Sequence, residues 1–311
     1  MKKILITGSK GFLGHHLVKR LSEKYELLTP SSSELDIQNL VSLKEFIARQ
    51  KPNIVIHLAA VCGGIGANKK SPADFFLKNS LMSLNILSAC NEFKIEKLIT
   101  LGSVCSYPKF TEVPFKEENI WNGYPEETNA PYGIAKKNLL VGCQAYRDQY
   151  GCNFIHLIPV NMYGEYDDFD LESSHVIPAL IRKFHHAKTY NLGSVTVWGD
   201  GSASREFLYA GDCAEAIEKS LLNYNSSEPV NIGTGSEITI KELVTKIAKV
   251  VGFEGHIIYD KTKPNGQPRR CLNTTLAKEK FDFTSKTSLD EGLEKTYSWY
   301  VQMQLINELN L

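Results

Sequence analysis

The sequence predicts an α/β protein built on a doubly wound parallel sheet, with a smaller C-terminal α/β lobe. Apolar runs typical of buried strands alternate with amphipathic helical segments over the first 160 residues, and a glycine-rich turn separates the first strand from the first helix. After residue 160 the alternation loosens. Strands that alternate with helices pair in parallel through right-handed crossovers. We therefore expect one domain over residues 1–160 and a second, partly interleaved with it, over 161–311.

The elements of the first domain follow from local patterns. Leucines at 13, 17 and 21 share one face of a helix, and Pro52 ends another helix shortly after Gln50. The predicted strands are Ile4–Thr7, Tyr25–Leu28, Asn53–Ala59, Lys97–Leu101 and Asn153–Pro159. The predicted helices between and beside them are Phe12–Lys24, Leu43–Gln50, Ala73–Phe93 and Tyr132–Tyr150.

The second lobe gives fewer and weaker signals. A Pro/Gly-rich segment at Lys263–Arg270 predicts a loop. The predicted helices are His175–His186, Asp212–Leu222, Ile238–Val251 and Leu289–Val301, and the predicted strands are Val195–Trp198 and Val230–Ile232.

Composition excludes several classes of function. The chain carries 35 basic and 35 acidic residues, and this balance argues against nucleic acid as the main partner. No apolar run approaches the roughly 20 residues of a membrane span, and the N-terminus has no secretory cleavage pattern. Seven cysteines without a Cys-x-x-Cys pair predict reduced thiols in a cytoplasmic protein, and no ligand spacing predicts a metal.

A glycine-rich turn lies between the first predicted strand and helix. Gly8, Gly11 and Gly14 are spaced G-x-x-G-x-x-G, which lets a pyrophosphate approach the backbone and the amides at the start of the helix. The turn predicts a dinucleotide site on a Rossmann sheet. Lys10 and the serines at 32 and 33 favour NADPH over NADH because they suit a 2′-phosphate; the alternative is a polar turn with a solvated lysine.

Five residues form the candidate reaction centre: Ser103, Cys105, Tyr132, Lys136 and His175. Tyr132 and Lys136 are four residues apart, so a helix places both on one face, and Ser103 follows a predicted strand. A serine, a tyrosine and a lysine are the groups needed to polarise and protonate a ketone during its reduction. Cys105 and His175 are candidates for proton transfer beside that ketone.

With these motifs the chain resembles the extended short-chain dehydrogenase/reductases and, among them, the GDP-L-fucose synthase family. Stretches in the family's order extend over nearly the whole chain. They are Gly63–Asn68, Ser71–Phe75, Gly102–Lys109, Thr128–Lys136, Asn161–Gly164, Ser174–Leu180, Val197–Gly199 and Arg205–Leu208.

The resemblance implies an NADPH-dependent reduction at C4 of a GDP-4-keto-6-deoxy sugar, coupled to epimerisation at C3 and C5, for surface polysaccharide. Tyr132 would donate the proton, Lys136 would lower the tyrosine pKa and bind ribose, and Ser103 would bind the carbonyl. Cys105 would be the epimerisation base and His175 its acid. The resemblance also implies a homodimer through a helical bundle that includes the Tyr132 helix.

The resemblance and the glycine turn together give the remaining candidate site residues. For the cofactor these are Gly8, Lys10, Gly11, Phe12, Leu13, Gly14, Ser32, Ser33, Asp36, Leu58, Ala59, Ala60, Tyr132, Lys136, Pro159, Asn161 and His175. For the nucleotide sugar they are Asn161, Lys183, Trp198, Arg205 and Arg269, with Arg270 in the same basic loop.

Departures from the family pattern leave three functions open. Val61 stands where the family has lysine, and Glu165 stands where it has proline. The sugar is then a hexose or a heptose. The protein is a bifunctional epimerase–reductase, a C4 reductase that does not epimerise, or a nucleotide-binding protein without catalysis.

Overall fold

The computed structural model describes residues 1–171, 173–263 and 265–309, with side chains to residue 306. In chain order its elements are β1 (Lys3–Thr7), α1 (Phe12–Leu21), β2 (Glu26–Leu28), α2 (Leu40–Gln50), β3 (Ile54–His57), α3 (Ile65–Lys70), α4 (Pro72–Glu92), β4 (Lys97–Leu101), α5 (Ala130–Tyr150), β5 (Phe154–Pro159), β6 (Asn161–Tyr163), α6 (Val176–Thr189), β7 (Ser194–Trp198), β8 (Ser204–Tyr209), α7 (Ala210–Asn223), β9 (Val230–Ile232), β10 (Glu237–Thr239), α8 (Ile240–Val251), β11 (His256–Asp260), α9 (Thr275–Phe281) and α10 (Leu289–Leu309).

The main sheet has six strands in the order β2-β1-β3-β4-β5-β9, and every pair is parallel. The predicted doubly wound fold is confirmed. Strands β2 and β3 lie on opposite sides of β1. A crevice therefore opens at the carboxyl ends of β1 and β3. That crevice is where ligands bind in such sheets.

Two apolar clusters cover the two faces of this sheet. One contains Leu13 and Leu17 of α1 with Ile217 of α7, and the other contains Leu43 of α2 with Leu139 of α5. All five side chains are buried. The sheet is therefore enclosed between two helical layers.

The second lobe is organised around two small sheets, β10-β8-β6 and β11-β7. A third apolar cluster joins them to α6, α8 and α10. One strand from this part of the chain, β9, lies at the edge of the main sheet beside β5. The division at residue 160 and the partial interleaving of the two domains stay predictions.

Several elements differ from their predicted bounds. The helix predicted to reach Lys24 ends at Leu21, whereas the helix predicted to end at Val301 continues to Leu309. His175 precedes α6 as its N-cap and is not its first residue. Within the predicted loop Lys263–Arg270, Pro264 lies outside the described residues. Within the described ranges, no helix combines the length and apolarity that a membrane crossing requires.

Candidate active site

The glycine turn between β1 and α1 has the geometry of a phosphate cradle. Gly8 has φ of +74°, and a Cβ there would lie 2.7 Å from the amide nitrogen of Ala59. A Cβ on Gly14 would lie 2.3 Å from the carbonyl oxygen of Gly8. Gly11 caps α1 without a side-chain hydrogen bond, so the first-turn amides have no side-chain acceptor. The turn therefore fits a dinucleotide pyrophosphate, which supplies the missing anionic acceptor.

The other predicted cofactor residues lie along the same crevice. Leu58, Ala59 and Ala60 follow β3 directly, while Pro159 ends β5. Phe12 and Leu13 open α1 beside the glycines. The strand ends and the helix start therefore converge at the open edge of the sheet.

Lys10 and the serine loop lie at the outer end of this crevice. Ser31 donates a 2.8 Å hydrogen bond to Glu34, and its hydroxyl lies 2.9 Å from that of Ser33. Hydrogen bonds from Ser31, and more weakly the charge of Lys10, lower the pKa of Glu34. Lys10 is thus electrostatically coupled to the serine loop. Ser32 and Asp36 are exposed in the same loop.

Ser103, Tyr132 and Lys136 converge where β4 ends and α5 begins. Tyr132 lies in the first turn of α5, near enough to Ser103 for a hydrogen bond between the two hydroxyls to lower the pKa of Tyr132. The Lys136 ammonium donates to the carbonyl oxygen of Leu101 at 3.0 Å and lies 5.7 Å from the Tyr132 ring centroid. A helix that starts at Ala130 and packs on the end of β4 brings these three groups together.

Burial sets the protonation of Tyr132 and Lys136. It raises the pKa of Tyr132 well above its ordinary value; the thiols of Cys62 and Cys105 raise it further, and the bond from Ser103 lowers it. Burial lowers the pKa of Lys136 to about 8. At neutral pH the site therefore holds a neutral phenol beside an ammonium ion.

Cys105 and His175 face one cavity of about 720 Å³. The thiol of Cys105 accepts a hydrogen bond from Nη1 of Arg270 at 3.8 Å, and the same nitrogen lies 3.4 Å from Oδ1 of Asn161. The His175 side chain is solvent-exposed where it lines the cavity, although protein atoms crowd around its ring. Burial lowers its pKa, Asp168 opposes that effect and Arg270 adds to it. The cavity thus contains a thiol, an imidazole and a guanidinium near Tyr132.

The far part of the same cavity contains Lys183, Trp198 and Arg205. The ammonium groups of Lys183 and Lys263 lie 5.7 and 5.5 Å from the Trp198 ring centroid. Arg205 donates to the carbonyl oxygen of Asn265 at 3.1 Å, and burial lowers its pKa to about 10. An aromatic face between cations suits a base and its phosphates.

Arg269 and Glu165 lie apart from this cavity. Arg269 is exposed and bonds Glu237 through Nε at 3.0 Å, beside a separate surface depression. The carboxylate of Glu165 accepts from the Tyr209 hydroxyl at 2.7 and 2.9 Å, and its carbonyl oxygen lies 3.1 Å from the His16 ring. The substitution at 165 therefore alters contacts with α1 and with the end of β8, not the lining of the cavity.

Sequence reasoning gave no role to Gln267 and Lys263, and it placed Arg270 only in the basic loop beside Arg269. All three belong to the basic loop, and Arg270 and Gln267 line the cavity. The adjacent arginines could have indicated that one of them faces the cavity, because neighbouring side chains in an extended segment point to opposite sides. In the described part of the chain, no three His, Cys or carboxylate groups converge as a metal site would need.

Comparison with known proteins shows which family model, relatives and solved structures this chain is similar to. The model of the NAD dependent epimerase/dehydratase family matches residues 4–233. A GDP-L-fucose synthase of Sinorhizobium fredii is 43% identical over 96% of each chain. A GDP-6-OMe-4-keto-L-xylo-heptose reductase from C. jejuni superposes with a TM-score of 0.91 at 29% identity, over 97% of this chain and 98% of that one. MlghC, a GDP-mannoheptose C4 reductase from Campylobacter jejuni with NADP bound, gives 0.86 at 30% identity, over 96% and 98%.

Proposed function

The chain belongs to the NAD dependent epimerase/dehydratase family and to the GDP-L-fucose synthase group within it, and from this we propose the following activity. The protein reduces the C4 ketone of a GDP-4-keto-6-deoxy sugar with NADPH and epimerises the sugar at C3 and C5. The observation that carries the proposal is the convergence of Ser103, Tyr132 and Lys136 beside a cavity that Cys105 and His175 also face.

NADPH supplies a hydride when it is bound in the crevice of the main sheet. The glycine turn would hold its pyrophosphate, because only glycine fits at Gly8 and Gly14. Lys10 with Ser32 and Ser33 would bind the 2′-phosphate. Lys136 would bind the nicotinamide ribose, as in the family.

The reduction uses Tyr132 as its acid. Ser103 donates a hydrogen bond to the carbonyl oxygen and polarises it, while the Tyr132 hydroxyl gives its proton to the alkoxide that forms. The ammonium of Lys136 stabilises the phenolate left behind. A buried phenol with a raised pKa is protonated at neutral pH, as this direction of the reaction requires.

Epimerisation uses the same ketone before it is reduced. The carbonyl acidifies the C–H bonds at C3 and C5, Cys105 removes one proton, and His175 returns another to the opposite face. The lowered pKa of His175 makes it the more ready proton donor once it is charged. The nucleotide would lie between Arg205, Lys183 and Trp198, within the 161–311 lobe.

A second candidate is C4 reduction of a GDP-4-keto-6-deoxy-heptose without epimerisation. The TM-score of 0.91 to a heptose reductase favours it. In that case Cys105 and His175 would bind the sugar and would not transfer protons to carbon.

We assign the protein to the cytoplasm and to surface polysaccharide synthesis, as a homodimer. All seven cysteines are free thiols, which suits a reducing compartment. Leu77, Leu81 and Leu84 form an exposed apolar stripe on α4, and Val141 is exposed on the adjacent α5. A second copy of the chain would bury this surface in a four-helix bundle.

The test is reaction of the protein with NADPH and GDP-4-keto-6-deoxy-mannose in deuterated water, followed by NMR of the product. A reduced product with deuterium at C3 and C5 is expected. Reduction without deuterium would establish the second candidate, and the heptose substrate would then be compared. Absence of NADPH consumption with both substrates would refute catalysis and leave nucleotide binding alone.

A further inference from the structure

Arg270 is a buried cation whose guanidinium reaches the reacting part of the cavity. The residue is 7% exposed. Its Nη1 lies 3.8 Å from the Cys105 sulfur and 3.4 Å from Oδ1 of Asn161. Its Nε and Nη2 both donate to Oε1 of Gln267, at 3.2 and 3.0 Å. Within the described residues, the hydrogen-bond acceptors of the guanidinium are thus one thiol and two amides, all neutral.

The surrounding structure fixes this side chain in place. Gln267 is itself buried and donates to the carbonyl oxygen of Lys109 at 2.8 Å. Glu206, fully buried, holds the backbone that carries Arg270: its amide donates to the Arg270 carbonyl at 3.0 Å, and its carboxylate accepts from the Leu272 amide at 2.6 Å. The guanidinium is therefore preorganised toward the sulfur, and little reorganisation is needed when charge appears there.

We propose that Arg270 stabilises the thiolate of Cys105 and so controls the epimerase half of the proposed function, on which this inference rests. A thiol removes a proton from carbon only as its thiolate. A buried arginine that already donates to the sulfur supplies the positive charge that this form needs. Because its other acceptors are neutral, much of its charge remains available to the sulfur.

The proton transfer balances without a further reactant. The thiolate takes a proton from C3 or C5, the C–H electron pair becomes the double bond of an enolate, and the C4 oxygen carries the charge. His175 gives its proton to the opposite face of the carbon, and the ketone re-forms. The Cys105 thiol and the His175 imidazole then exchange protons with water in the open cavity.

Other ionisable groups also face Cys105. Tyr132 on α5 and Arg205 on β8 both interact with its charge. His175, at the start of α6, lies beside Arg270. Arg205 is the matched comparison because it is also a cation near the thiol. Among the described residues, Arg205 makes no hydrogen bond to the Cys105 sulfur.

The first experiment needs no substrate. Alkylation of Cys105 by iodoacetamide is followed by mass spectrometry from pH 6 to 10, with Cys105→Ser to identify the peptide. Arg270→Gln should slow alkylation about tenfold or more at neutral pH. Arg270→Lys should restore part of the rate, while Arg205→Gln should change it less. An unchanged rate in Arg270→Gln would overturn the proposal.

The second experiment separates thiolate stabilisation from diphosphate binding. Exchange of C3 and C5 hydrogens with deuterium is measured on the GDP-keto sugar without NADPH. Arg270→Gln should lower the maximal exchange rate about 100-fold, with KM changed less than about threefold. A raised KM with an unchanged maximal rate would assign Arg270 to the diphosphate and refute the proposal.

Added guanidinium ion should rescue exchange in Arg270→Ala, which distinguishes a missing charge from a misfolded protein. If Arg270→Ala has the circular dichroism of the wild type and guanidinium ion still does not restore exchange, the proposal is contradicted. If the wild type neither reduces nor exchanges the sugar, the proposed function fails, and alkylation still decides whether Arg270 stabilises the thiolate.

Discussion

Tyr132 is expected to act as a neutral acid because burial, rather than the nearby lysine, dominates its ionisation. Tyr132→Phe removes the only proton that this side chain can give. We expect kcat for ketone reduction to fall about 100-fold or more. The measurement is NADPH oxidation with the GDP-keto sugar. Tyr124→Phe is the control, since Tyr124 is 64% exposed, and unchanged turnover in Tyr132→Phe would contradict the assignment.

The Lys136 ammonium should set the alkaline limit of the reduction. Its pKa is lowered to about 8, so the group is charged below that pH and neutral above it. We expect kcat/KM to fall about tenfold per pH unit above pH 8, where Tyr132 is still protonated. Lys136→Arg should remove this decline because arginine stays charged. A wild-type profile that is flat to pH 10 would contradict the prediction.

A polar row extends across the carboxyl ends of four adjacent strands. Thr7, His57, Thr100 and His156 are in register on β1, β3, β4 and β5. Each histidine lies 2.8 Å from the hydroxyl of a threonine, and burial lowers both histidine pKa values to about 3. The two rings are therefore neutral in the folded protein over the whole physiological range.

This row should make the main sheet sensitive to acid. A histidine whose pKa is lowered on folding stabilises the fold fully above about pH 6.5, and that stability is lost as the pH falls toward 3. At about pH 5 each ring should cost roughly 2 kcal/mol of unfolding free energy relative to pH 7. The unfolding free energy is measured by urea unfolding at pH 7 and pH 5. Between these two pH values, His57→Asn should lose less unfolding free energy than the wild type, by about that amount. An equal loss in variant and wild type would disprove this.

The turn between β1 and α1 should tolerate no side chain at Gly14. A methyl group there would lie 2.3 Å from the Gly8 carbonyl oxygen, so α1 would have to shift. We expect Gly14→Ala to weaken NADPH binding at least about tenfold, measured by calorimetry. Gly193→Ala, where a Cβ meets nothing within 4 Å, is the control. Equal affinity in Gly14→Ala would refute the phosphate cradle.

The first 160 residues were largely predictable because their strands are buried on both faces and their helices carry periodic apolar residues. The strands β6 and β10 have three residues each, too few to show a period. Six-residue β8 went unpredicted within the irregular segment after residue 160, and β11 is partly exposed. Within the site, neighbouring Arg269 and Arg270 face Glu237 and Cys105 respectively, a distinction that depends on the fold of their loop.

At the scale of the whole molecule, α4 and α5 leave an apolar surface uncovered. Leu77 and Leu84 lie seven residues apart, two turns along one helical face, and are 54% and 59% exposed. The double variant Leu77→Glu, Leu84→Glu should convert the proposed dimer to a folded monomer, since charges on both copies would oppose burial. Analytical ultracentrifugation measures this, with the exposed Leu222→Glu as the control. A variant that remains dimeric would place the interface elsewhere.

On the ribosome, β5 is complete at Pro159, whereas its neighbour β9 begins only at Val230. At bacterial and eukaryotic rates of synthesis, the intervening segment takes roughly 4–14 seconds to emerge. Throughout that interval the nascent sheet presents the unpaired backbone edge of an apolar strand, the kind of edge that pairs with other chains. Chaperone occupancy of the growing chain should therefore peak in this window, and a chain released early should aggregate.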